Sequence, residues 1–336
     1  AEGSGISAAQ AEGLVRAQLE PGALITQYLL DKPVLLLRDM VGTDASATVS
    51  AGANVGEADV TIAVTPRGRF MDSSLTLDNQ GARSTGEYRL SAVVNLNHPL
   101  GLGDQLSLRV QPTSQSGNYL YRLGYSIPVT PYATKLILSL SNNEYELGSP
   151  FEALGATGSS RIMSVSLVQP LVRGRLSNVV VIGGFDRKKL DDTTTFFNQD
   201  ISQKIDTWRI GLLGSSTDFW MGGGNTSYSV VATSGNAELN PATVADLEGT
   251  RGNFTKVNFD VQRVQYLSSE LSAALSLSGQ WASKNLRGAE RVSYGGPLGV
   301  RGYGVPSGTG DEGLLASAEL RYLLPVQFMG NPVSAL

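Results

Sequence analysis

The sequence predicts a transmembrane antiparallel β-barrel preceded by a small α+β module. Three observations lead to this fold class. From Arg69 onward, apolar and polar residues alternate with period two, which is typical of strands with one apolar and one polar face. The connections between the alternating segments are short and long in turn. No stretch approaches the roughly 18 to 20 consecutive apolar residues that a membrane-spanning helix needs.

Composition limits the function classes. The 336-residue chain contains no cysteine and one histidine, His98, which excludes disulfides, thiolate metal sites and cysteine nucleophiles and disfavours histidine-based catalysis. The net charge of −4 offers no basic field for nucleic acid. We therefore expect a protein that is not an enzyme and that uses no cofactor, metal or nucleic-acid partner.

Residues 1–66 differ in pattern from the rest of the chain. A helical pattern over 7–19 begins with a serine. A second helical segment follows, in which we expect Pro33 in the first turn, behind a cap formed by Asp31. Two alternating runs predict strands at 45–52 and 58–66. The order helix, helix, strand, strand indicates a small α+β module that buries little surface on its own.

The remaining chain contains about twelve alternating segments, mostly of about 9 to 13 residues, the length of a tilted strand that crosses a bilayer. In one of them, Val257 and Phe259 share a face while Lys256 and Asn258 lie on the other. The predicted strands are 69–78, 87–97, 104–113, 118–128, 134–144, 160–171, 176–188, 203–213, 225–237, 253–266, 270–283 and 314–326.

Connection lengths support the barrel. We expect short turns at 98–104, 129–134, 171–178 and 266–270 and long loops at 142–160, 191–203 and 234–253. Short turns at one end and long loops at the other are typical of outer-membrane barrels. A soluble β-sandwich is the alternative. It is disfavoured because its strands are usually shorter, about 5 to 6 residues, and because the polar face here is rich in Ser, Thr, Asn, Gln and Gly.

The longest predicted loop, 286–313, contains the glycine-rich run GGPLGVRGYGVPSGTG with Arg301 at its centre. Glycines allow the tight reversals that would let such a loop fold into a barrel lumen. There the Arg301 guanidinium would have to pair with a carboxylate on the wall, because an unpaired buried charge is costly. The alternative is a solvent-exposed loop with an incidental arginine.

These residues resemble a known family. Val300, Arg301, Gly302 and Tyr303 spell VRGY, and with the preceding GGPLG and the following LLASAELRY they resemble the sixth extracellular loop and next strand of the two-partner secretion transporters, the TpsB family. Residues 21–66 resemble the second periplasmic POTRA domain of a hemolysin secretion/activation protein. Residues 77–90 and 97–110 resemble its first barrel strands.

The resemblance implies a sixteen-stranded outer-membrane barrel that exports one large β-helical exoprotein in an unfolded state, without nucleotide. Its partners would be the exoprotein, captured through the POTRA domain, and outer-membrane lipids. The VRGY arginine, here Arg301, would lie in the lumen and pair with an aspartate of an F-x-D-x-G motif on the following, thirteenth strand. We expect 1–66 to be a partial second POTRA domain and 67–336 to carry barrel strands 1–12, with 286–313 as the sixth extracellular loop. The chain is thus expected to be a fragment.

Other functions are weighed against this one. An insertase of the BamA or TamA type belongs to the same superfamily, whereas a passive porin needs neither POTRA module nor VRGY loop. An outer-membrane protease or lipase ranks lowest, because a Ser/His/Asp set would have to use the one histidine, His98, which lies in a short turn. The aspartates of 191–200 lack ordered metal-ligand spacing. Gly222 to Gly224 precede no helix, which argues against a phosphate site.

Overall fold

The computed structural model describes residues 5–240, 246, 248–296, 299–305, 307–323, 326–328 and 331–333. An N-terminal module precedes a large β-sheet. The module consists of helices α1 (Ala8–Gln18) and α2 (Gln27–Arg38) and strands β1 (Thr43–Ala51) and β2 (Ala58–Pro66), which pair antiparallel. The two predicted helices and both strands are therefore present.

Helix α1 begins where the serine predicted. The Ser7 hydroxyl accepts a hydrogen bond from the backbone N–H of Gln10, and the Gln10 side chain accepts one from the backbone N–H of Ser7. This capping box satisfies two amide groups that the helix itself leaves unpaired. The apolar side of α1 then packs on α2 and the strands through Leu14, which is buried with Leu36 and Leu37.

The predicted start of α2 was wrong. The helix begins at Gln27, and the Thr26 hydroxyl accepts the capping hydrogen bond from the Leu29 N–H at 3.3 Å. Pro33 therefore lies inside the helix, where its lack of an N–H leaves one backbone acceptor without its usual donor. Pro33 is buried, so packing in the module outweighs the preference of proline for a first turn. Asp31 lies within the helix and pairs with Arg175 instead.

Within the described residues, the large sheet contains twelve antiparallel strands in a continuous meander, with β3 and β16 at its edges. Its strands are β3 (Met71–Asp78), β4 (Arg89–Asn97), β5 (Gln105–Pro112), β6 (Tyr119–Pro128), β7 (Lys135–Glu146), β8 (Ala156–Arg173), β9 (Ser177–Thr194), β10 (Gln199–Asp218), β11 (Gly224–Asn240), β12 (Gly252–Tyr266), β13 (Leu271–Ala282) and β16 (Gly313–Tyr322).

Short elements complete the described part of the chain. Strands β14 (Val292–Ser293) and β15 (Thr309–Gly310) pair between β13 and β16, and β17 (Val326–Phe328) pairs with β18 (Asn331–Val333). Four 3₁₀ turns are present at Arg83–Thr85, Glu152–Leu154, Trp220–Gly222 and Gly288–Glu290. None of the helices in the described ranges has the length and apolar character to span a membrane.

Each of the twelve predicted strands corresponds to one strand of the sheet, but several are longer than expected. Strands β8 and β9 have 18 residues and β10 has 20. The predicted long loop 191–203 was wrong, because β9 and β10 remain paired as far as Thr194 and Gln199 and turn at 195–198. Most residues on both faces of these strand ends are polar, so apolar alternation could not reveal them.

The sheet has one apolar and one polar face. Direct cross-strand partners in register place Val165, Phe185 and Trp208 in one row on the apolar face, and Trp208 is 68% exposed. The neighbouring positions Ser166 and Arg209 lie on the polar face. The faces follow the alternation in the sequence, because successive side chains of a strand point in opposite directions.

The N-terminal module contacts one end of the sheet, which we call the module end. Arg173, the last residue of β8, holds the Asp39 carboxylate with two hydrogen bonds of 2.7 and 2.8 Å. Lys135 at the start of β7 donates to the Asp39 carbonyl at 2.8 Å. Ala133, in the turn between β6 and β7, is buried in the core of the module. The opposite end, with the 283–312 connection, is the loop end.

Candidate functional site: the 283–312 loop on the polar face

The connection between β13 and β16, residues 283–312, turns back onto the polar face near the loop end. Its first apolar anchor is Leu286, which is buried with Ile205 of β10, Ala237 of β11 and Phe254 of β12. These side chains belong to neighbouring strands and point to the same face as Arg209 and Lys256. The loop therefore begins as a packed part of the sheet, not as a free excursion.

A buried carboxylate fixes the loop next to this apolar contact. Glu290 is 2% exposed and lies 2.5 Å from Lys188 Nζ of β9 and 3.0 Å from Lys256 Nζ of β12. The Lys256 ammonium also donates to the Glu290 carbonyl at 2.8 Å, and the Gln280 amide donates to the same carbonyl at 3.1 Å. We call Lys188, Lys256 and Glu290 the buried triad.

A second polar cluster closes the base of the loop. Arg291 Nε donates to Asp311 at 2.9 Å and its Nη2 to Glu248 at 2.5 Å. Asp311 also accepts a hydrogen bond from the Leu286 N–H at 2.8 Å. Burial by itself lowers the pKa of Arg291, but the hydrogen bonds to Asp311 and Glu248 outweigh it and raise the pKa. The two ends of the loop are thus held together at its base.

The VRGY tip of the loop, residues 300–303, is more exposed to solvent than the buried triad. The Val300 N–H donates to the Tyr294 carbonyl at 2.7 Å, and Gly302 has a φ of +92°, a conformation that favours glycine. The Arg301 side chain is 74% exposed and donates to the Glu319 carboxylate. Glu319 lies on the polar face of β16, where Arg321 Nη2 also donates to it at 3.0 Å.

A cavity of about 820 Å³ lies beside the tip. Its wall includes Arg301, Tyr303 and Val305 from the loop, Phe151, and the 79–84 segment that follows β3. The cavity therefore separates the tip from the first edge of the sheet. The tip has space on one side and the polar face of β16 on the other.

In the structure Arg301 pairs with a carboxylate of the polar face, but its side chain is 74% exposed, so this is not the buried pair that the reasoning from the residues assumed. The carboxylate is Glu319 on the next strand, a residue that the sequence analysis did not single out. The aspartate of an F-x-D-x-G motif belongs, by the family pattern, to a later strand. Whether the pair performs the role implied for Arg301 stays a prediction.

The buried triad was missed by the sequence analysis. Alternation places Lys256 on the polar face, but it does not reveal the partner of a lysine. Lys188 and Glu290 lie 102 positions apart in the chain. The only signal was the presence of lysines on a face otherwise rich in small polar residues.

The other residues considered from the sequence, the aspartates of 191–200 and His98, do not form a functional site in the described residues. Within the described ranges, no three His, Cys, Asp or Glu side chains are arranged to hold a metal ion, and Asp191, Asp192 and Asp200 lie in β9 and β10. His98 lies in the turn after β4, with its ring 5.8 Å from that of Phe70 in an edge-on arrangement. The aspartates are thus strand residues, and His98 packs against an aromatic ring.

The chain is similar in sequence to known transporter proteins. The chain is 30% identical over 317 residues to the heme/hemopexin transporter protein HuxB of Haemophilus influenzae, covering 91% of this chain and 54% of the relative. It is 26% identical over 294 residues to the outer membrane transporter CdiB of Escherichia coli, covering 82% and 47%. The chain thus spans about half the length of the curated relatives that it matches.

Solved structures share the fold. CdiB from Escherichia coli matches with a TM-score of 0.77 and 21% identity, covering 96% of this chain and 60% of the other. CdiB from Acinetobacter baumannii matches with a TM-score of 0.71 and 21% identity, covering 96% and 59%. The family model described as "Haemolysin secretion/activation protein ShlB/FhaC/HecB" matches residues 56–334. The chain therefore belongs to the ShlB/FhaC/HecB family of haemolysin secretion/activation proteins, the two-partner secretion transporters.

Proposed function

We propose that the complete protein containing this chain is a bacterial outer-membrane transporter that secretes a large β-helical exoprotein, of adhesin or haemolysin type, by the two-partner pathway. One observation carries the proposal: a sheet with a broad exposed apolar face bears a packed loop on its polar face. Exposed apolar surface of this extent is unfavourable in water and favourable against lipid. The polar face then lines a hydrated passage.

The proposed barrel is larger than the sheet described here. Among the described residues, β3 and β16 are edge strands whose outer backbone groups pair with no further strand. Backbone groups at membrane depth must be satisfied within the protein. We therefore propose that further strands close residues 67–336 into a sixteen-stranded barrel with lipid on the apolar face.

Residues 1–66 are proposed to be part of a POTRA domain in the periplasm. In the described part of the chain, β1 and β2 form a two-stranded sheet of their own. The outer edge of such a sheet offers backbone donors and acceptors to an extended segment of the exoprotein. The ion pair between Arg173 and Asp39 would hold this domain against the periplasmic end of the barrel.

The tip residues Val300, Arg301, Gly302 and Tyr303 are proposed to lie in the lumen. The contact between Arg301 and Glu319 supports this placement, because Glu319 belongs to the polar face. The exoprotein would pass beside the tip. No step of this function calls for a cofactor, nucleotide hydrolysis or enzymatic chemistry, so we propose a transporter that is not an enzyme.

The test is export of the partner exoprotein by the complete protein. We expect Arg301→Ala to reduce export while the amount of protein in the outer membrane and its heat-modifiable mobility stay unchanged. Arg301→Lys should restore export only in part, because lysine lacks the planar fork of donors. Arg321→Ala is the matched control, since Arg321 contacts the same carboxylate from outside the loop.

Two outcomes would decide against the proposal. Normal secretion by Arg301→Ala would refute the role of the tip. Loss of many unrelated barrel proteins on deletion of the gene, with export of the exoprotein intact, would indicate an insertase of the BamA or TamA type.

A further inference from the structure

The apolar face of the sheet carries a row of basic residues that the proposed transport does not use. Arg161 of β8 is the direct cross-strand partner of Lys189 of β9, and Lys189 is the direct partner of Lys204 of β10. We call these three residues the basic row. Like charges directly opposite one another on neighbouring strands are destabilising. Three in succession therefore require a source of negative charge.

Protein carboxylates supply part of that charge through ion pairs, and Glu144 of β7 interacts electrostatically with Arg161. Lys189 Nζ is 3.4 Å from Asp191, and Lys204 Nζ is 3.5 Å from Asp206 and 3.8 Å from Glu238. Asp206 is already held by Arg187 at 2.8 and 3.0 Å. The side chains of Lys189 and Lys204 nevertheless remain 56% and 45% exposed, so a further anion can reach them.

The surface next to the basic row is apolar. Along β8, the side chains on the same face after Arg161 are Met163, Val165 and Leu167, all exposed, and Leu171 follows further along. Arg161 and Leu171 are about 33 Å apart along a strand that rises about 3.3 Å per residue. A tilt of about 40° reduces this to about 25 Å in height, the height of the apolar band of a membrane barrel.

The basic row thus stands at the rim of the apolar band. It lies at the loop end, because the opposite end of β8 contacts the N-terminal module through Arg173. With that module in the periplasm, as proposed above, the rim belongs to the outer leaflet of the outer membrane. This step rests on the proposed function.

We propose that Arg161, Lys189 and Lys204 bind the phosphate groups of an outer-leaflet phosphorylated glycolipid of the lipid A class, the anchor of lipopolysaccharide. Guanidinium and ammonium groups donate to phosphate oxygens, and a phosphate group adds negative charge to that of the neighbouring carboxylates. The acyl chains of the lipid then lie along Val165 and the neighbouring rings of Phe185 and Trp208, whose centroids are 4.8 Å apart. A headgroup site and an acyl surface are therefore adjacent on one face.

The experiment measures lipid A bound to the purified complete protein by native mass spectrometry, with lipid A added back to delipidated protein. We expect stoichiometric binding by the natural protein. The triple variant Arg161→Gln/Lys189→Gln/Lys204→Gln should bind about 100-fold more weakly, at about a factor of five for each basic residue. Arg161→Lys/Lys189→Arg/Lys204→Arg keeps the charges and should keep the lipid.

Controls separate the lipid from other sources of phosphate. Arg263→Gln changes an arginine on the same face at the module end, where Arg263 is bonded to Asp218 at 2.8 Å, and should leave lipid binding unchanged. Displacement of lipid A by inorganic phosphate at comparable concentration, or equal binding of dephosphorylated lipid A, would overturn the proposal. Equal binding by the triple variant and the natural protein would overturn it as well.

The lipid measurement does not depend on export. A protein that binds lipid A but exports nothing would refute the transport function alone. A triple variant that loses lipid A and still secretes its partner would support the lipid site and leave the transport function standing. Heat-modifiable mobility of each variant establishes that its barrel has folded.

Discussion

Replacing Glu290 with alanine removes the carboxylate that lies between Lys188 and Lys256. The two ammonium groups would then remain largely buried, with side chains 18% and 12% exposed, without their counter-charge. Removing one partner of a buried ion pair costs about 3–5 kcal/mol. We expect the free energy that holds the 283–312 loop against the sheet to fall by about that amount.

The assay is limited proteolysis of the loop in the complete protein under native conditions. When opening and closing are fast relative to cleavage, the cleavage rate follows the population of the open loop. A loss of 3 kcal/mol corresponds to roughly a 100-fold faster cleavage, since 1.4 kcal/mol is a factor of ten. Strand content and heat-modifiable mobility should not change, because the sheet does not depend on the loop for its backbone pairing.

A matched comparison tests the reasoning. Glu319→Ala removes the partner of Arg301, but that pair is exposed to solvent and should affect cleavage far less. Replacing the whole buried triad by Lys188→Met, Lys256→Met and Glu290→Leu should restore protection, because no uncompensated charge remains. Equal cleavage rates for the Glu290→Ala and Glu319→Ala variants would refute the idea that the buried triad anchors the loop.

Three further predictions concern the module end and the loops. Arg173→Gln should weaken the contact between the N-terminal module and the sheet by about 1.5–3 kcal/mol, the range for hydrogen bonds to a charged group such as Asp39. Distances measured between spin labels on the module and on the sheet should then show a broader distribution. Gly42→Ala should weaken the same contact by about 1–2 kcal/mol, because Gly42 has a φ of +78° and an added Cβ would lie 2.2 Å from His98 Cδ2. If the module of this variant resists protease as well as the natural module does, the prediction is wrong. Backbone hydrogen bonds from its own loop lower the pKa of Asp246 to about 2, so the stability that this carboxylate contributes is complete above about pH 4, its unfolded pKa, and is lost as the pH falls towards 2. A spin label on a cysteine introduced in that loop should become mobile over this range, and Asp246→Asn should remove the transition.

Most of the strand framework was predictable from the sequence. Alternation identified all twelve strands of the sheet, and it correctly placed Phe259 and Lys256 on opposite faces. The reason is that a strand exposes its two faces to different surroundings, so each position records its own environment. The start of α1 was predictable for a similar local reason, because Ser7 caps the helix within four residues.

Predictions from neighbouring residues failed where contacts with more distant residues determined the structure. Pro33 lies inside α2 because burial in the module outweighs its preference for a first turn. The strand ends around Thr194 and Gln199 extend beyond any apolar pattern because their backbones continue to pair. A loop predicted from polar composition alone is therefore too long wherever polar strands project beyond the apolar band.

The sequence by itself determined the number and faces of the strands, the α+β module and the family, because these depend on residue types at short spacing. Only the tertiary structure decided that Glu290 meets Lys188 and Lys256 and that Arg301 reaches Glu319. It also decided that the three cations of the basic row lie side by side at the rim of the apolar face. Such contacts depend on register and on loop return, which join residues far apart in the chain. The sequence gives the charge of each side chain, whereas the tertiary structure determines which opposite charge lies beside it.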